Sequence, residues 1–151
     1  METKIALFPG SFDPFTRGHL DIVERGSTLF DQIIVGIGNN SSKQRYLSIE
    51  VMKEKIENTF LHNPKVKVIV FEGLTSLFAK QIGAKFLLRG LRNTTDFEYE
   101  NTIAQVNNYL NDDLETVFLI THPEHAYISS TIVREILRFG GNVDKFLPYK
   151  L

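Results

Sequence analysis

Residues 10–19, near the amino terminus, have the composition of a phosphate-binding turn. They follow an apolar run at residues 5–8, where Pro9 and Gly10 are expected to end a strand, and they precede an amphipathic stretch that begins at Leu20. A strand, a tight turn and a helix start in that order point backbone amides at an anion, and His19 adds an imidazole at the mouth of the helix. The stretch has neither the Gly-Lys-Ser/Thr ending of a Walker A loop nor the Gly-x-Gly-x-x-Gly pattern of dinucleotide sites. We therefore predict a phosphate site of another kind.

The composition limits the classes of protein to which the chain can belong. Its 151 residues, 42% hydrophobic and 23% charged, predict one domain spanning residues 1–151 with a single core. A net charge of −1 argues against broad binding to nucleic acid or to an anionic membrane. No cysteine is present, which excludes thiol catalysis, disulfides and iron–sulfur clusters. Because no apolar run is long enough for a signal peptide or a membrane span, we expect a cytoplasmic location.

Five short runs rich in β-branched and aromatic residues alternate with stretches of helical periodicity. The runs lie at residues 5–8, 33–37, 66–71, 86–88 and 117–120. Alternation of this kind is typical of a parallel sheet with crossover helices. We predict an α/β fold: a Rossmann-like, doubly wound sheet of five parallel strands in the order 3-2-1-4-5, with helices on both faces.

Three of the intervening stretches carry residues that cap helices. Ser48 precedes apolar residues at three- and four-residue spacing and is predicted to be an N-cap. Thr95 and Glu98 have the spacing of a capping box. Ser130 is predicted to cap a last helix, which ends before Gly140.

Polar and basic residues concentrate after the predicted strands. They lie at residues 10–19, 39–43, 72–75, 89–92 and 121–131. In an open parallel sheet, ligands bind beyond the carboxyl ends of the strands, near the point where the strand order reverses. If all five strands are parallel, the five loops meet at one edge and bring together His19, Lys43, Arg89 and Arg92. This set of side chains predicts a pocket for a polyanion.

Several of these segments also share a pattern with a known family. Thr16-Arg17-Gly18-His19 resembles the (T/H)-x-G-H motif of nucleotidylyltransferases. Over about residues 5–148 the chain resembles the bacterial phosphopantetheine adenylyltransferases in the order and spacing of five blocks: Pro9-Gly10-Ser11-Phe12-Asp13-Pro14, Ser42-Lys43, Arg89-Gly90-Leu91-Arg92, Asp96-Phe97-Glu98-Tyr99-Glu100 and Ile128-Ser129-Ser130-Thr131. The resemblance implies transfer of adenylate from ATP to 4′-phosphopantetheine, giving dephospho-coenzyme A and pyrophosphate, with Mg²⁺.

The resemblance also implies roles for individual residues. The catalytic residues would be His19, Lys43 and Arg92. ATP would be bound by Ser11, Phe12, His19, Gly90, Leu91, Arg92, Glu100, His125, Ala126, Tyr127, Ile128, Ser129, Ser130 and Thr131. Phosphopantetheine would be bound by Ser11, Lys43, Leu74, Thr75 and Arg89. His125 stands where an aromatic residue is usual in the family. A homo-hexamer and feedback binding of coenzyme A in the same pocket are implied as well.

The residues themselves indicate how such a transfer can proceed. The phosphate of the acceptor can attack the α-phosphorus of ATP directly, so catalysis consists of positioning and charge stabilisation. We expect His19, Lys43 and Arg92 to act as cationic donors to the phosphoryl oxygens. A second phosphate cradle is expected at the start of the last helix, from the hydroxyls of Ser129 and Ser130 and the amides of Thr131 and Ile132.

Other interpretations of the same residues remain open. Cytidylyltransferases and nicotinate mononucleotide adenylyltransferases use a similar histidine motif, and a non-catalytic sensor of ATP or coenzyme A would need the same pocket. Arg89 could instead form a structural ion pair with Asp96, Glu98 or Glu100. The histidines lack the spacing of metal ligands, so we predict no metal held by protein side chains.

Overall fold

The computed structural model describes residues 1–151 and contains one five-stranded sheet. Its strands are β1 (Ile5–Gly10), β2 (Gln32–Gly38), β3 (Val66–Phe71), β4 (Phe86–Leu91) and β5 (Glu115–Ile120). All neighbouring strands are parallel, in the order β3-β2-β1-β4-β5. The predicted strand order, strand direction and fold class are therefore confirmed.

Two strand ends differ from the prediction. Pro9 and Gly10 lie within β1 instead of ending it, because Gly10 is still paired with Ile37 of β2. Residues 89–91 were expected after the fourth strand but belong to β4, where Leu91 is paired with Ile120 of β5. The pairing of parallel strands is made by backbone groups, so a strand can continue beyond its run of apolar side chains.

Helices connect the strands on both faces of the sheet. They are α1 (Arg17–Gly26), α2 (Ile49–Thr59), α3 (Thr75–Gln81), α4 (Thr94–Leu110) and α5 (Ser130–Arg138), with a short 3-10 helix at Pro123–His125. None of the helices combines the length and apolarity needed to cross a bilayer.

One of the three predicted N-caps is confirmed and two are wrong. Ser48 caps α2, where its side chain accepts a hydrogen bond from the amide of Val51. The cap of α4 is Asn93 and not Thr95, because the Asn93 side chain accepts from the amide of Asp96. The cap of α5 is Ser129 and not Ser130. In both cases an Asn or Ser one or two residues earlier offers the same type of side-chain acceptor. Sequence spacing alone did not show which of the two candidate residues is the cap.

Side chains of the strands alternate between two apolar layers. On one face Phe8 and Val35 pack with Met52 and Ile56 of α2, and on the other Leu7 and Ile34 pack with α3. Successive residues of a strand point to opposite faces, so a strand covered on both sides must be apolar throughout. This two-sided burial fixes the register and with it the edge at which the loops meet.

The segment after α5 closes one side of this edge. Val143 and Leu147 are buried against Val133 of α5. From there the chain reaches back to the turn after β1, where the amide of Arg17 donates to the carbonyl of Phe146 at 2.9 Å. The start of α1 is thus tied to the last residues of the chain.

Candidate active site

Two cavities meet at the carboxyl ends of β1 and β4, which is the point where the strand order reverses. The smaller, of about 430 Å³, contains His19 and Arg92 and is called the His19 cavity. The larger, of about 790 Å³, contains Lys43 and is called the Lys43 cavity. Both are lined by Pro9, Gly10, Ser11, Arg89 and Glu100. These five residues are therefore open to a ligand in either cavity.

The turn after β1 forms part of the wall between the cavities, and its backbone is held from outside. Five consecutive carbonyls, those of residues 11 to 15, each accept a hydrogen bond from a side chain of another element. The donors are Arg45 to Ser11 and Phe12, Arg134 to Asp13, Ser130 to Pro14 and Tyr149 to Phe15. The protein itself therefore satisfies these five acceptors, and no ligand is needed to hold the turn from this side.

Phe12 in this turn and Gly10 at the end of β1 depend on each other. Phe12 has a φ of 46°, in the left-handed region that few side chains adopt. Its ring packs 5.4 Å from that of Phe8 and 5.1 Å from that of His19, centroid to centroid. A Cβ on Gly10 would lie 2.8 Å from the Phe12 ring. Glycine at position 10 therefore leaves room for the Phe12 ring, which packs against the ring of His19.

His19 is fixed by the capping box of α1. The amide of Thr16 donates to His19 Nδ1 at 2.9 Å, and the amide of His19 donates to Thr16 Oγ1 at 3.4 Å. A backbone amide can only donate, so Nδ1 carries no proton and the proton of the neutral ring sits on Nε2. Burial, reinforced by the positive charges of Arg89 and Arg92, lowers the pKa of His19 to about 3. The expectation of a cationic His19 is therefore wrong for the unliganded protein, in which His19 is a neutral donor.

Arg92 is held by a carboxylate in the first turn of α4. Its Nε and Nη2 donate to the two oxygens of Asp96 at 2.9 and 3.1 Å, and its amide donates to the same side chain. Arg92 lowers the pKa of Asp96, against the effect of partial burial, so the carboxylate stays ionised. Nη1 reaches the carbonyl of Ile128 at 3.5 Å. The guanidinium thus has a fixed plane at the edge of the His19 cavity.

Arg89 joins the two cavities and forms the structural ion pair considered above. Its partner is Glu100 and neither Asp96 nor Glu98: Nε donates to one oxygen of Glu100 at 2.9 Å and Nη2 donates to the other. Nη1 donates to the carbonyl of Pro9. Glu100 is only 8% exposed and both its oxygens are occupied by Arg89. The pair is structural, but it stands in the wall shared by the two cavities.

Lys43 presents a contrast, since its ammonium forms no hydrogen bond or ion pair. It lies in the loop after β2, is exposed, and lines the Lys43 cavity. Nearby, Asn39 donates to Glu72 at 3.1 Å across the ends of β2 and β3. The opposite wall comes from α4, with Ile103 and Val106 among its apolar side chains. This cavity therefore offers one unpaired cation and an apolar wall.

At the start of α5, part of the predicted phosphate cradle is already in use. Ser129 Oγ accepts from the amide of Ile132 at 3.1 Å, so that amide is not available to a ligand. The hydroxyl of Ser130 donates to Pro14 at 2.7 Å. Ser129, Ser130 and Thr131 nevertheless all line the His19 cavity. The hydroxyl proton of Ser129 and the amide of Thr131 are the donors that remain.

Most of the predicted site residues lie in the walls of the two cavities. The His19 cavity is lined by Ser11, Phe12, His19, Arg89, Gly90, Arg92, Glu100, His125, Ile128, Ser129, Ser130 and Thr131. The Lys43 cavity is lined by Ser11, Lys43, Leu74, Thr75 and Arg89. Leu91, Ala126 and Tyr127 line neither cavity; the ring of Tyr127 packs against Phe146 at 6.2 Å and is 65% exposed. Ligand contact by these three residues stays a prediction.

Sequence reasoning missed the residues that hold the turn from behind. Arg45 and Tyr149 reach the turn through its carbonyls, and hydrogen bonds to carbonyls leave no pattern in side-chain spacing. Arg134 could have been found: it follows Ser130 by four residues, which places both on one face of α5, and both donate to the turn.

The same edge has no cluster of three or more His, Cys, Asp or Glu side chains that could hold a metal ion. The two carboxylates that line the His19 cavity, Asp96 and Glu100, are both paired with arginines. Any divalent cation at the site must therefore take most of its oxygen ligands from a bound molecule or from water.

A doubly wound parallel sheet with a histidine and arginines around the turn after β1 is the arrangement expected of a nucleotidyltransferase. Residues 7–136 match the family model described as cytidylyltransferase-like. A solved bifunctional NMN adenylyltransferase/ADP ribose pyrophosphatase from Francisella tularensis has a TM-score of 0.66 and 13% identity over 98% of this chain and 46% of its own, a likeness that shows the fold alone.

Closer relatives define the family within this class. A phosphopantetheine adenylyltransferase from Cytophaga hutchinsonii is 60% identical over 149 residues, 99% of each chain. One from Flavobacterium johnsoniae is 52% identical over 95% of this chain and 93% of its own. The chain belongs to the phosphopantetheine adenylyltransferase family.

Proposed function

We propose that the protein transfers adenylate from ATP to 4′-phosphopantetheine, giving dephospho-coenzyme A and pyrophosphate in coenzyme A biosynthesis. The observation that carries the proposal is the pair of cavities that share Gly10, Ser11 and Arg89. Two substrates can occupy the two cavities and bring one phosphate of each to the shared wall. Lys43, the one cation lining these cavities that has no partner, then faces the acceptor.

ATP occupies the His19 cavity in this proposal. Arg92 and the start of α5 bind its phosphates, since the guanidinium is already planar and fixed and the hydroxyl of Ser129 is free to donate. The residues assigned to ATP from the sequence are kept, including Leu91, Ala126 and Tyr127 outside the cavity lining. His125 lines the cavity and takes the place on the base side that an aromatic residue has in the family resemblance.

Phosphopantetheine occupies the Lys43 cavity. Its phosphate lies near Lys43 and Arg89, and its uncharged arm runs between Leu74 and Thr75 on one side and the apolar wall of α4 on the other. The volume of about 790 Å³ leaves room for a ligand of this length. Arg89 serves here as part of the wall between the substrates, oriented by Glu100.

In the reaction, a phosphate oxygen of phosphopantetheine forms a bond to the α-phosphorus of ATP, and the bond from that phosphorus to the oxygen of pyrophosphate breaks. No protein nucleophile is needed, so the side chains act by positioning and by stabilising charge. His19 donates its Nε2 proton as a hydrogen bond to the phosphoryl oxygens. The lowered pKa keeps the ring in its neutral form, and a neutral imidazole is too weak an acid to transfer its Nε2 proton to the substrate. Lys43 follows the acceptor phosphate, as a flexible point charge can.

Mg²⁺ is proposed to arrive with the triphosphate. Both nearby carboxylates are paired with arginines, which fits a cation held by phosphate oxygens and water. When bound, the ion would neutralise part of the charge of the leaving pyrophosphate.

Further features of the proposal rest on the family resemblance. They are a homo-hexamer in the cytoplasm and coenzyme A as a feedback ligand of the same pocket. Length, composition and the net charge of −1 support two more: a single domain over residues 1–151, and no membrane or nucleic-acid partner.

A pyrophosphate-release assay with a panel of substrates tests the proposed function. We expect release only when ATP and phosphopantetheine are both present. Release with CTP, or with nicotinate mononucleotide as acceptor, would assign the protein to another nucleotidylyltransferase activity. Calorimetry showing tight ATP binding with no release from any pair would make it a non-catalytic sensor.

A further inference from the structure

Tyr149 lies outside both cavities, yet its hydroxyl contacts the turn that carries the histidine motif. Its Oη is 2.6 Å from the carbonyl oxygen of Phe15 and 3.3 Å from Met52 Sδ. The hydroxyl has one proton, and the shorter contact, to the stronger acceptor, takes it. Burial raises the pKa of Tyr149 above its ordinary value, so this proton stays in place.

The carbonyl of Phe15 and the amide of Thr16 are two ends of one peptide group. That group is planar and trans, and the only cis bond in the chain is Asp13-Pro14. Its carbonyl accepts from Tyr149, and its N–H donates to His19 Nδ1 at 2.9 Å. A hydrogen bond that fixes the carbonyl end of a rigid plane also fixes the direction of the N–H at the other end.

We propose that Tyr149 is a positioning residue for His19. Its hydroxyl sets the plane of the Phe15–Thr16 peptide, and the amide of that peptide holds the His19 ring with Nδ1 as acceptor and Nε2 as donor. This chain of contacts is called the Tyr149 relay. Donation to the carbonyl also polarises the peptide and makes its N–H a better donor, as hydrogen bonds in series do.

Neighbouring contacts explain why the effect reaches His19 and stops there. The Phe15 ring packs 5.3 Å from the His19 ring and 5.9 Å from that of Phe60, so its side chain has little freedom to follow a rotated peptide. The amide of Phe15 is held separately by Met52 Sδ at 3.4 Å. Loss of the Tyr149 hydroxyl therefore frees the peptide plane while the side chains around it stay packed.

The predicted change in kcat rests on the proposed function, whereas the predicted change in the His19 spectrum does not. In Tyr149→Phe the ring remains and only the hydroxyl is removed. We expect kcat to fall by about threefold to tenfold, as for the weakening of one hydrogen bond, with the KM for ATP unchanged. In the unliganded protein with ¹⁵N-labelled histidine, we expect the His19 nitrogen signals to move toward a mixture of the two tautomers.

Two further variants separate the relay from a general loosening of the chain end. Tyr109→Phe removes the hydroxyl of a tyrosine that is 88% exposed, and we expect wild-type kinetics and histidine spectra. Leu147→Val weakens the packing of the same terminal segment while keeping the Tyr149 hydroxyl, and we expect lower stability with unchanged His19 signals.

The spectra decide the inference even if no adenylyl transfer is detected. Unchanged His19 nitrogen signals in Tyr149→Phe would overturn the relay, whatever the kinetics show. Equal shifts in Tyr149→Phe and Leu147→Val would also overturn it, because the hydroxyl would then have no effect of its own. Failure of the wild type to release pyrophosphate would count against the proposed function and not against the relay.

Discussion

The two cavities that meet at Arg89 differ in how their charged side chains are held. In the His19 cavity Arg92 is paired with Asp96, and His19 is held by Thr16. In the Lys43 cavity the ammonium of Lys43 has no partner and lies in an exposed loop. One side of the site is therefore arranged before any ligand binds, and the other side has a free cation.

This difference fits the demands of a phosphoryl transfer. Donors that stabilise charge at the reacting phosphorus are most effective when they need no reorganisation. A group that binds an incoming acceptor benefits from reach, and its hydrogen bonds form only when the acceptor is present. We therefore expect substitutions in the His19 cavity to lower kcat, and substitutions in the Lys43 cavity to raise the KM of the acceptor.

The largest effect is expected for His19→Ala. The variant loses the neutral donor that we propose for the phosphoryl oxygens, and kcat should fall by about 10²–10³-fold with little change in ATP binding. Steady-state pyrophosphate release, with calorimetry for ATP, measures both quantities. His62→Ala, at an exposed position, is the matched control and should keep wild-type turnover. Unchanged turnover in His19→Ala would remove His19 from the catalytic role.

Arg92→Lys tests whether the fixed plane of the guanidinium matters beyond its charge. Lysine cannot reproduce the double hydrogen bond to Asp96, so kcat/KM for ATP should fall by about 10–10²-fold. Titration of ATP in the same assay measures the change. Arg138→Lys, at an exposed and unpaired arginine of α5, should have no effect. Full activity of Arg92→Lys would mean that this cavity is no more preorganised than the other.

Lys43→Ala should raise the KM for phosphopantetheine by about tenfold and leave the KM for ATP unchanged, since one charge-assisted contact is lost. Lys43→Arg should restore most of the binding, because an exposed side chain without a partner has no fixed geometry to lose. Kinetics with phosphopantetheine as the varied substrate check both, with Lys67→Ala of β3 as control. A rise in the KM for ATP alone would contradict this assignment and would place ATP, not phosphopantetheine, in the Lys43 cavity.

The smallest effect concerns stability in acid. The folded-state pKa of His19 is about 3, below the 6.5 of an unfolded chain, so only the unfolded state takes up the proton as the pH falls below 6.5. The contribution of His19 to the free energy of unfolding therefore keeps its full value above pH 6.5 and decreases as the pH falls below it. Between pH 7 and pH 5, wild type should lose about 1–2 kcal/mol more than His19→Gln.

Urea unfolding at the two pH values measures this difference. His62→Gln, at an exposed histidine, should follow the wild-type profile. Identical pH dependence in wild type and His19→Gln would show that His19 is protonated in the folded protein, and the neutral donor would have to be abandoned.

The sequence predicted the sheet and the edge at which the site lies because both follow from apolar patterning. Runs such as residues 33–37 are apolar on consecutive positions, which only a strand covered on both faces requires. The ends of the strands were harder to predict from side chains, because β4 continues through Leu91 by backbone pairing with β5. The loops after the strands then had to meet at one edge, and His19 and Arg92 do lie in one cavity.

What the sequence did not predict depends on long-range contacts. The charge state of His19 results from burial and from the charges of Arg89 and Arg92. The residues next to His19 in the sequence indicate neither its burial nor the approach of the two arginines. Tyr149 is 134 positions from Phe15 in the chain and contacts only its carbonyl there. The sequence left three carboxylates as possible partners of Arg89. The helical turn of α4 places Glu100 against it, and this could not be read from the spacing alone.

Isotope exchange tests the central claim, direct transfer of adenylate to the phosphate of phosphopantetheine, in one measurement. Labelled pyrophosphate is incubated with the protein in the presence of Mg²⁺, with ATP alone or with dephospho-coenzyme A alone. We predict no label in ATP in the first case, because no adenylyl-enzyme forms, and labelled ATP in the second, because the reaction runs backward. Labelled ATP without dephospho-coenzyme A, or none with it, would contradict the account.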